Sequence, residues 1–336
     1  MDDISIYRLK EVILQSGQLL PDAELVYKTY GTLNRKRDNV VLFSTRFGGT
    51  HKDNEYLIGE GKALDPNKYF IIVPNLFGNG VSSSPSNVAA DFLGGNFPNF
   101  TIYDNVLLQH KLVTEVLGVD RIKLAIGWSM GAQQVYQWAC LFPSMIERLA
   151  PIAGSARTSV HNYVFLEGMR AALTADSAWN NGCYATPPIR GLKALGRAWA
   201  GWALSHAFYR EEKFKELGYP TLEKFLVDYW EAIYLSRDAN NILAMIWTWQ
   251  HADLSANPKF NGDYGKALAA IEAKTFVMPG KTDMYFPPED SAIEVAHMQH
   301  ADLRVIPSVW GHYAGGKINP ADVEFVDNNL KELLVA

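Results

Sequence analysis

The groups in this sequence best spaced for chemistry are a serine, a histidine and an aspartate. Ser129 sits in Gly127-Trp128-Ser129-Met130-Gly131, behind an apolar β-type run at 122–126 and ahead of helically spaced apolar residues at 133–141. A serine in that strand-to-helix context occupies a sharp turn where the backbone crosses itself closely, which is why glycines flank it. The turn pushes Oγ outward and aims the first helical N–H groups, that of Met130 foremost, at negative charge developing beside it. A serine hydroxyl is a weak nucleophile near neutral pH, so it needs a base, and the base needs an orienting group. His312 follows a glycine and a strand-like run at 303–307, with only a final helix after it, the setting of a base at the top of a sheet. His110 falls inside a helix, and the remaining histidines lack that setting. Asp283 lies in the loop after another strand-like run, 273–279. Its rivals Glu289 and Asp290 follow Pro287-Pro288, where acids serve a helix start. A second oxyanion donor is expected from the glycine-bearing loop 45–50, from the amide of Phe47 with Gly48 as rival.

These side chains need a scaffold that gathers them. Runs 7–16 and 23–30 carry alternating and β-branched apolar residues around Gly17 and Pro21, which predicts an antiparallel pair at a sheet edge. Runs 40–44, 69–74 and 122–126 read as buried strands, with an amphipathic helix at 102–117 between the second and third. This is the βα alternation of a doubly wound, mostly parallel sheet. One more strand is expected at 149–153, and then the alternation stops. From 155 to 257 the sequence reads as helices broken at Gly182, Pro187-Pro188 and Gly218-Tyr219-Pro220. Trp179, Trp199, Trp202, Trp230, Trp247 and Trp249 fall in this stretch, where large rings fill helical layers or line an apolar substrate pocket or a dimer face. Strand character returns at 273–279 and 303–307, with helices at 291–298 and 321–334. The expected organisation is an α/β core, residues 1–154 and 258–336, with a helical cap, 155–257, inserted in it. The glycine-bearing loop 78–85 lacks the lysine of a phosphate-binding loop and is assigned to loop structure near the site mouth.

Composition narrows the function. The 336 residues are 48% hydrophobic and 20% charged, with a formal net charge of -5, which argues against a nucleic-acid partner. No apolar run approaches the ~20 residues that span a bilayer, and the first residues lack a basic region followed by an apolar stretch. A cytoplasmic location is therefore expected, without a membrane partner. The two cysteines, Cys140 and Cys183, have no metal-ligand spacing, and no metal or prosthetic cofactor is called for.

With these residues placed, the order Ser129, Asp283, His312 is that of the α/β-hydrolase fold. The chain resembles the homoserine O-acetyltransferase family of that fold. The likeness runs through Tyr27-Lys28-Thr29-Tyr30-Gly31-Thr32-Leu33-Asn34, Gly61-Lys62-Ala63-Leu64-Asp65, Thr101-Ile102-Tyr103-Asp104, Ser129-Met130-Gly131, Arg237-Asp238-Ala239-Asn240 and Phe286-Pro287-Pro288-Glu289. The resemblance implies the same nucleophile, acid and base, a helical cap over the site, and a homodimer formed through cap helices. It also implies that Arg170 holds the carboxylate of an acyl acceptor. Two positions depart from the family pattern. Members that acetylate homoserine have an aspartate directly after the catalytic histidine, where this chain has Tyr313, and a glycine before the nucleophile, where it has Trp128. A phenol cannot meet an ammonium group with a counter-charge at neutral pH. The expectation is thus a serine esterase for small acyl esters, acetyl esters foremost. The alternative is an O-acetyltransferase using acetyl-CoA and homoserine or another hydroxyl acceptor, and a ligand-binding protein with an idle triad is the reading from outside enzymology.

Overall fold

The computed structural model describes residues 4–336. Strands β1 (Ser5–Ile13) and β2 (Leu19–Tyr30) pair antiparallel with Leu9 opposite Ala23, and β2 pairs antiparallel with β4 through Tyr27 and Pro74. From there the sheet is parallel: β3 (Val40–Ser44), β4 (Phe70–Pro74), β5 (Leu124–Trp128), β6 (Arg148–Ile152), β7 (Lys274–Val277) and β8 (Ala301–Leu303). The order across the eight strands is β1-β2-β4-β3-β5-β6-β7-β8. Strands β3 and β5 are buried on both faces, which is why they read as continuous apolar runs rather than alternating ones.

Helices cover both faces. Helix α1 (Ile102–Lys111) starts at a capping box in which the Asp104 amide donates to Thr101 Oγ1 and Asp104 Oδ2 accepts from the Thr101 amide. Helix α2 (Met130–Leu141) lies against β5 and β6, with Trp138 and Tyr136 fully buried. Between β6 and β7 the chain is helical, with α3 (Val160–Thr174), α4 (Ile189–Ala203), α5 (Ala232–Leu235) and α6 (Ala239–Gln250) among shorter helices at His206–Arg210, Leu222–Phe225 and Tyr264–Ala269. Among the described residues this segment makes one β contact, an isolated antiparallel bridge between Arg157, just after β6, and Asp253. Helices α7 (Pro288–Val295) and α8 (Pro320–Val335) complete the core, each with proline in its first turn. No helix among the described residues is long and apolar enough to cross a membrane.

The last strand corrects a sequence expectation. The 303–307 run is not a continuous strand: β8 ends at Leu303, and beyond it the ladder continues only as Arg304 N to Val277 O and an isolated bridge at Ile306, whose N–H donates to Pro279 O and whose carbonyl accepts from Lys281 N, among the described residues. Pro307 has no N–H to extend it. The 78–85 loop is also displaced from its expected place. Ser82 and Ser83 hydroxyls accept from the Val26 and Glu24 amides, so the loop straps β2 and does not line the cavity beside Ser129.

Candidate active site

The turn after β5 is built as its spacing predicts. Ser129 holds φ 60° and ψ -126°, a left-handed conformation that a serine adopts only under constraint. Its N–H donates to Ile152 O at 2.9 Å and its carbonyl accepts from Ala132 N at 2.8 Å, so both sides of the corner are tied. A Cβ on Gly127 would fall 2.1 Å from the Gly131 carbonyl carbon, and one on Gly131 would fall 2.6 Å from Ser44 O. No side chain fits at either position.

His312 reaches the serine from a short turn, Gly311–Tyr313. Its Nε2 lies 2.8 Å from Ser129 Oγ and its Nδ1 lies 2.8 Å from Asp283 Oδ2. Asp283 Oδ1 accepts from the amides of Tyr285 at 2.8 Å and Phe286 at 3.3 Å, which fixes the carboxylate with Oδ2 toward the ring. With a carboxylate there, Nδ1 carries the proton and Nε2 is the acceptor for the Ser129 hydroxyl. Glu289 and Asp290 sit in the first turn of α7 instead. The imidazole lies between Trp128 and Tyr285, each with ring centres 4.6 Å away. Trp128 is itself fixed by its Nε1–H, which donates to Ala314 O at 2.9 Å. Thr282 Oγ1 ties the acid and base loops together, donating to Ser308 O and accepting from Gly311 N.

Neither the Met130 amide nor the Phe47 amide has a hydrogen-bond acceptor among the described residues. The rival donor is occupied: Gly48 N–H points to Met245 Sδ at 3.2 Å, and Gly48 does not line the cavity. Gly48 therefore serves neither as that rival donor nor as a direct substrate contact.

Ser129 and His312 open into a cavity of ≈ 140 Å³, smaller than the roughly 300–1,000 Å³ of a site for a drug-sized ligand. Its apolar wall comes from Phe47, Trp199, Trp230, Tyr234, Trp249 and Tyr285, so three of the insertion's tryptophans do line the site. Tyr313 also lines it; its hydroxyl accepts from Tyr229 OH at 3.0 Å, and burial first, then its phenol neighbour, pushes its pKa well up. The charged residues are Arg46, Asp53, Arg237 and Lys317. Asp53 bridges Arg46 at 3.2 Å and Lys317 at 3.0 Å.

Arg170 is corrected. It lies half-exposed on α3, paired with Glu167 at 2.8 Å, and faces a separate cavity lined by Tyr163, Trp179 and Trp247. A solvated i,i+3 pair on a helix face explains it fully. The cavity's arginines, Arg46 and Arg237, carried no site role in the sequence reading. Arg46 stands inside the loop already marked for its glycines, and that position was the available signal.

Residues 38–315 match the family model of the alpha/beta hydrolase fold. An ethyl acetate hydrolase of Pseudomonas veronii is 38% identical over 324 residues, covering 96% of this chain and 92% of that protein. A homoserine O-acetyltransferase of Chloroherpeton thalassium is 30% identical over 313 residues, covering 89% and 81%. The crystal structure of an acetylester hydrolase from Corynebacterium glutamicum matches with a TM-score of 0.96 at 36% identity, covering 99% of this chain and 96% of that one.

Proposed function

The chain belongs to the α/β-hydrolase fold family, and from that premise we propose that it is a serine-dependent hydrolase of small carboxylic esters, acetyl esters foremost. The observation that carries this reading is the line Asp283, His312, Ser129, bonded at 2.8 Å in both steps and opening into a small aromatic cavity. As Ser129 Oγ bonds to the ester carbonyl carbon, His312 Nε2 takes its proton, and Asp283 holds the imidazole and stabilises its charged form. The amides of Met130 and Phe47 receive the negative charge on the carbonyl oxygen. When the bond to the alcohol oxygen breaks, His312 gives that oxygen the proton. Water then attacks the acyl carbon while His312 takes its proton, and the acid leaves as Ser129 recovers its own.

The second reading is an O-acetyltransferase, favoured by the relatives that bear that name. There acetyl-CoA would load Ser129 and a hydroxyl acceptor would resolve it. Tyr313 weighs against an amino-acid acceptor, since the cavity's carboxylate, Asp53, already bridges two cations. Arg170 is also turned away from Ser129.

In this reading residues 155–257 act as a cap over the cavity and the enzyme works in the cytoplasm without a cofactor. Two chains pair through cap helices, and α3 leaves Val160 and Val164 exposed for such a contact. The deciding experiment measures acetate release from ethyl acetate and CoA release from acetyl-CoA, each with and without homoserine, on wild type and Ser129→Ala. Ester hydrolysis that needs no acceptor supports the hydrolase; CoA release that depends on homoserine replaces it with the transferase.

A further inference from the structure

The oxyanion loop is anchored at its ends by the core, where Gln134 Nε2 donates to Thr45 O at 2.7 Å and Asn79 Nδ2 to Gly49 O at 3.0 Å, and is gripped at its middle by the helical insertion. Gly48 sits at φ 57°, and a Cβ there would fall 2.3 Å from Arg237 Nη1 and 2.7 Å from its Cζ. The guanidinium thus packs on the face that a side chain would occupy. On the other side Met245 Sδ, from α6, accepts the Gly48 N–H. The preceding residue is gripped as well: the Phe47 ring stacks on Trp199 of α4 at 5.1 Å and lies 6.0 Å from Trp249 of α6. Arg237 is presented by a fixed turn. Its N–H donates to Tyr234 O at 3.1 Å, and Asp238 beside it caps α6 by accepting Asn241 N at 2.9 Å. Among the described residues the guanidinium lies over the Tyr234 ring at 5.7 Å and has no carboxylate at ion-pair distance.

We propose that the helical insertion sets the oxyanion donor, with Arg237 as a positioning residue that acts through Gly48 to hold the Phe47 amide toward Ser129. This rests on Phe47 N being the second donor. A long, ring-like head group fills the space beside Gly48 that a shorter residue leaves open, and an open space lets the loop turn its amide away. Removing an oxyanion donor outright costs about 10²–10³ in kcat; a donor left present but loosened loses a part of that.

The test compares Arg237→Ala, Arg237→Gln and Gly48→Ala, alone and with Arg237→Ala, on ethyl acetate and on 3-acetoxypropanoate. Folding is followed by thermal melting. A second readout is the rate at which a fluorophosphonate labels Ser129, which draws on the same oxyanion contacts whether the natural acceptor is water or an alcohol. We expect Arg237→Ala to lower kcat about tenfold on both esters with KM changed less than about twofold, and to slow labelling by a similar factor. Arg237→Gln, with its planar amide, recovers most of the loss. The Gly48→Ala defect shrinks when Arg237 is also removed, because the two compete for one space. A loss confined to KM for the carboxylate-bearing ester would make Arg237 a substrate-binding residue and overturn the proposal, as would unchanged labelling. Should Arg237→Ala not fold, Arg237→Gln and the Gly48 pair give the same decision. Labelling that behaves as expected while no ester is turned over would instead refute the hydrolase reading and leave this one standing.

Discussion

The two sides of the reaction centre are built in opposite ways. The nucleophile corner is closed by backbone: β5, Ser129 and α2 cross at Gly127 and Gly131, and the neighbouring strands add only backbone, Ser44 O against Gly131 and Ile152 O accepting the Ser129 N–H. The oxyanion loop after β3 is tied to the core at Thr45 and Gly49, but at Phe47 and Gly48 it meets distant chain, since Arg237, Met245, Trp199 and Trp249 all reach it from the insertion. A corner closed by its own backbone keeps its shape whatever packs above it. A loop gripped at its middle by side chains takes part of its shape from the helices that carry them, and the role proposed for Arg237 would let the insertion adjust the donor without disturbing the nucleophile.

The sharpest break of this contrast falls on the chemistry both sides serve. Ser129→Ala should cost at least ~10⁴ in kcat for ester hydrolysis, since nothing else in the line can attack the carbonyl. Asp283→Asn should cost ~10⁴ with the fold intact, because an amide no longer enforces the Nδ1–H form of His312. Stopped acetate release with an unchanged melting curve is the expected result for both, and Asp283→Asn at near wild-type rate would remove the aspartate from the mechanism. Next come the glycines. Gly127→Ala puts a methyl 2.1 Å from backbone, and no second substitution relieves it; we expect a loss of roughly 3 kcal/mol or more, seen as insoluble or low-melting protein. Gly48→Ala meets the end of a side chain; its φ of 57° keeps a residual strain of about 1–2 kcal/mol in any background, but the part of its defect that comes from Arg237 is the part a second change can relieve. Equal, unrelievable damage at both glycines would erase the difference between corner and loop.

The same contrast explains what could be read from the sequence. The corner, the acid and the base follow from short spacings: a glycine two residues either side of Ser129, a carboxylate after a strand, a histidine after a glycine. The parallel core was legible for the same reason, because each buried strand is a local apolar run. The loop's supports were not legible. Arg237 stands in a stretch shared with the acetyltransferase family, but its partner shows only when the fold sets it against Gly48, nearly 190 positions away in the chain. Arg170 misled in the reverse direction: its place in a family pattern pointed to the site, while its neighbour Glu167 three residues back pairs with it at the surface. Strand β8 was overextended because Val305 and Ile306 are apolar for packing, and Ile306 is buried without belonging to a regular strand.

The smallest expected effect on activity lies at the root of the insertion. Glu294 of α7 is buried; its Oε1 accepts from Ala156 N at 2.7 Å and from Tyr264 OH at 2.9 Å. Ala156 also pairs with Leu254, so this carboxyl sits where the chain enters and leaves the helical segment. The Tyr136 hydroxyl is buried beside this carboxyl, and neither it nor Glu294 Oε2 has a further hydrogen-bond partner among the described residues. Burial pushes Glu294 up from 4.5 to about 7. A carboxyl raised in the folded state is favoured there as the neutral acid. Its contribution is therefore full below about pH 4.5 and is lost as pH rises to about 7, above which a buried charge remains as a penalty. A shift of this size corresponds to about 3 kcal/mol at most. Glu294→Gln keeps the oxygen that accepts from Ala156 and carries no charge at any pH. It should melt above wild type at pH 8, by roughly 2–4 °C for each kcal/mol recovered, and the gap should close toward pH 5. A gap that does not change with pH would mean that the carboxyl is not held neutral. Ester turnover near pH 7 should change by less than about twofold, since Glu294 meets α2 only at Tyr136, seven residues beyond Ser129, and does not touch the loop; a larger loss would show that the site feels the root of the helices above it.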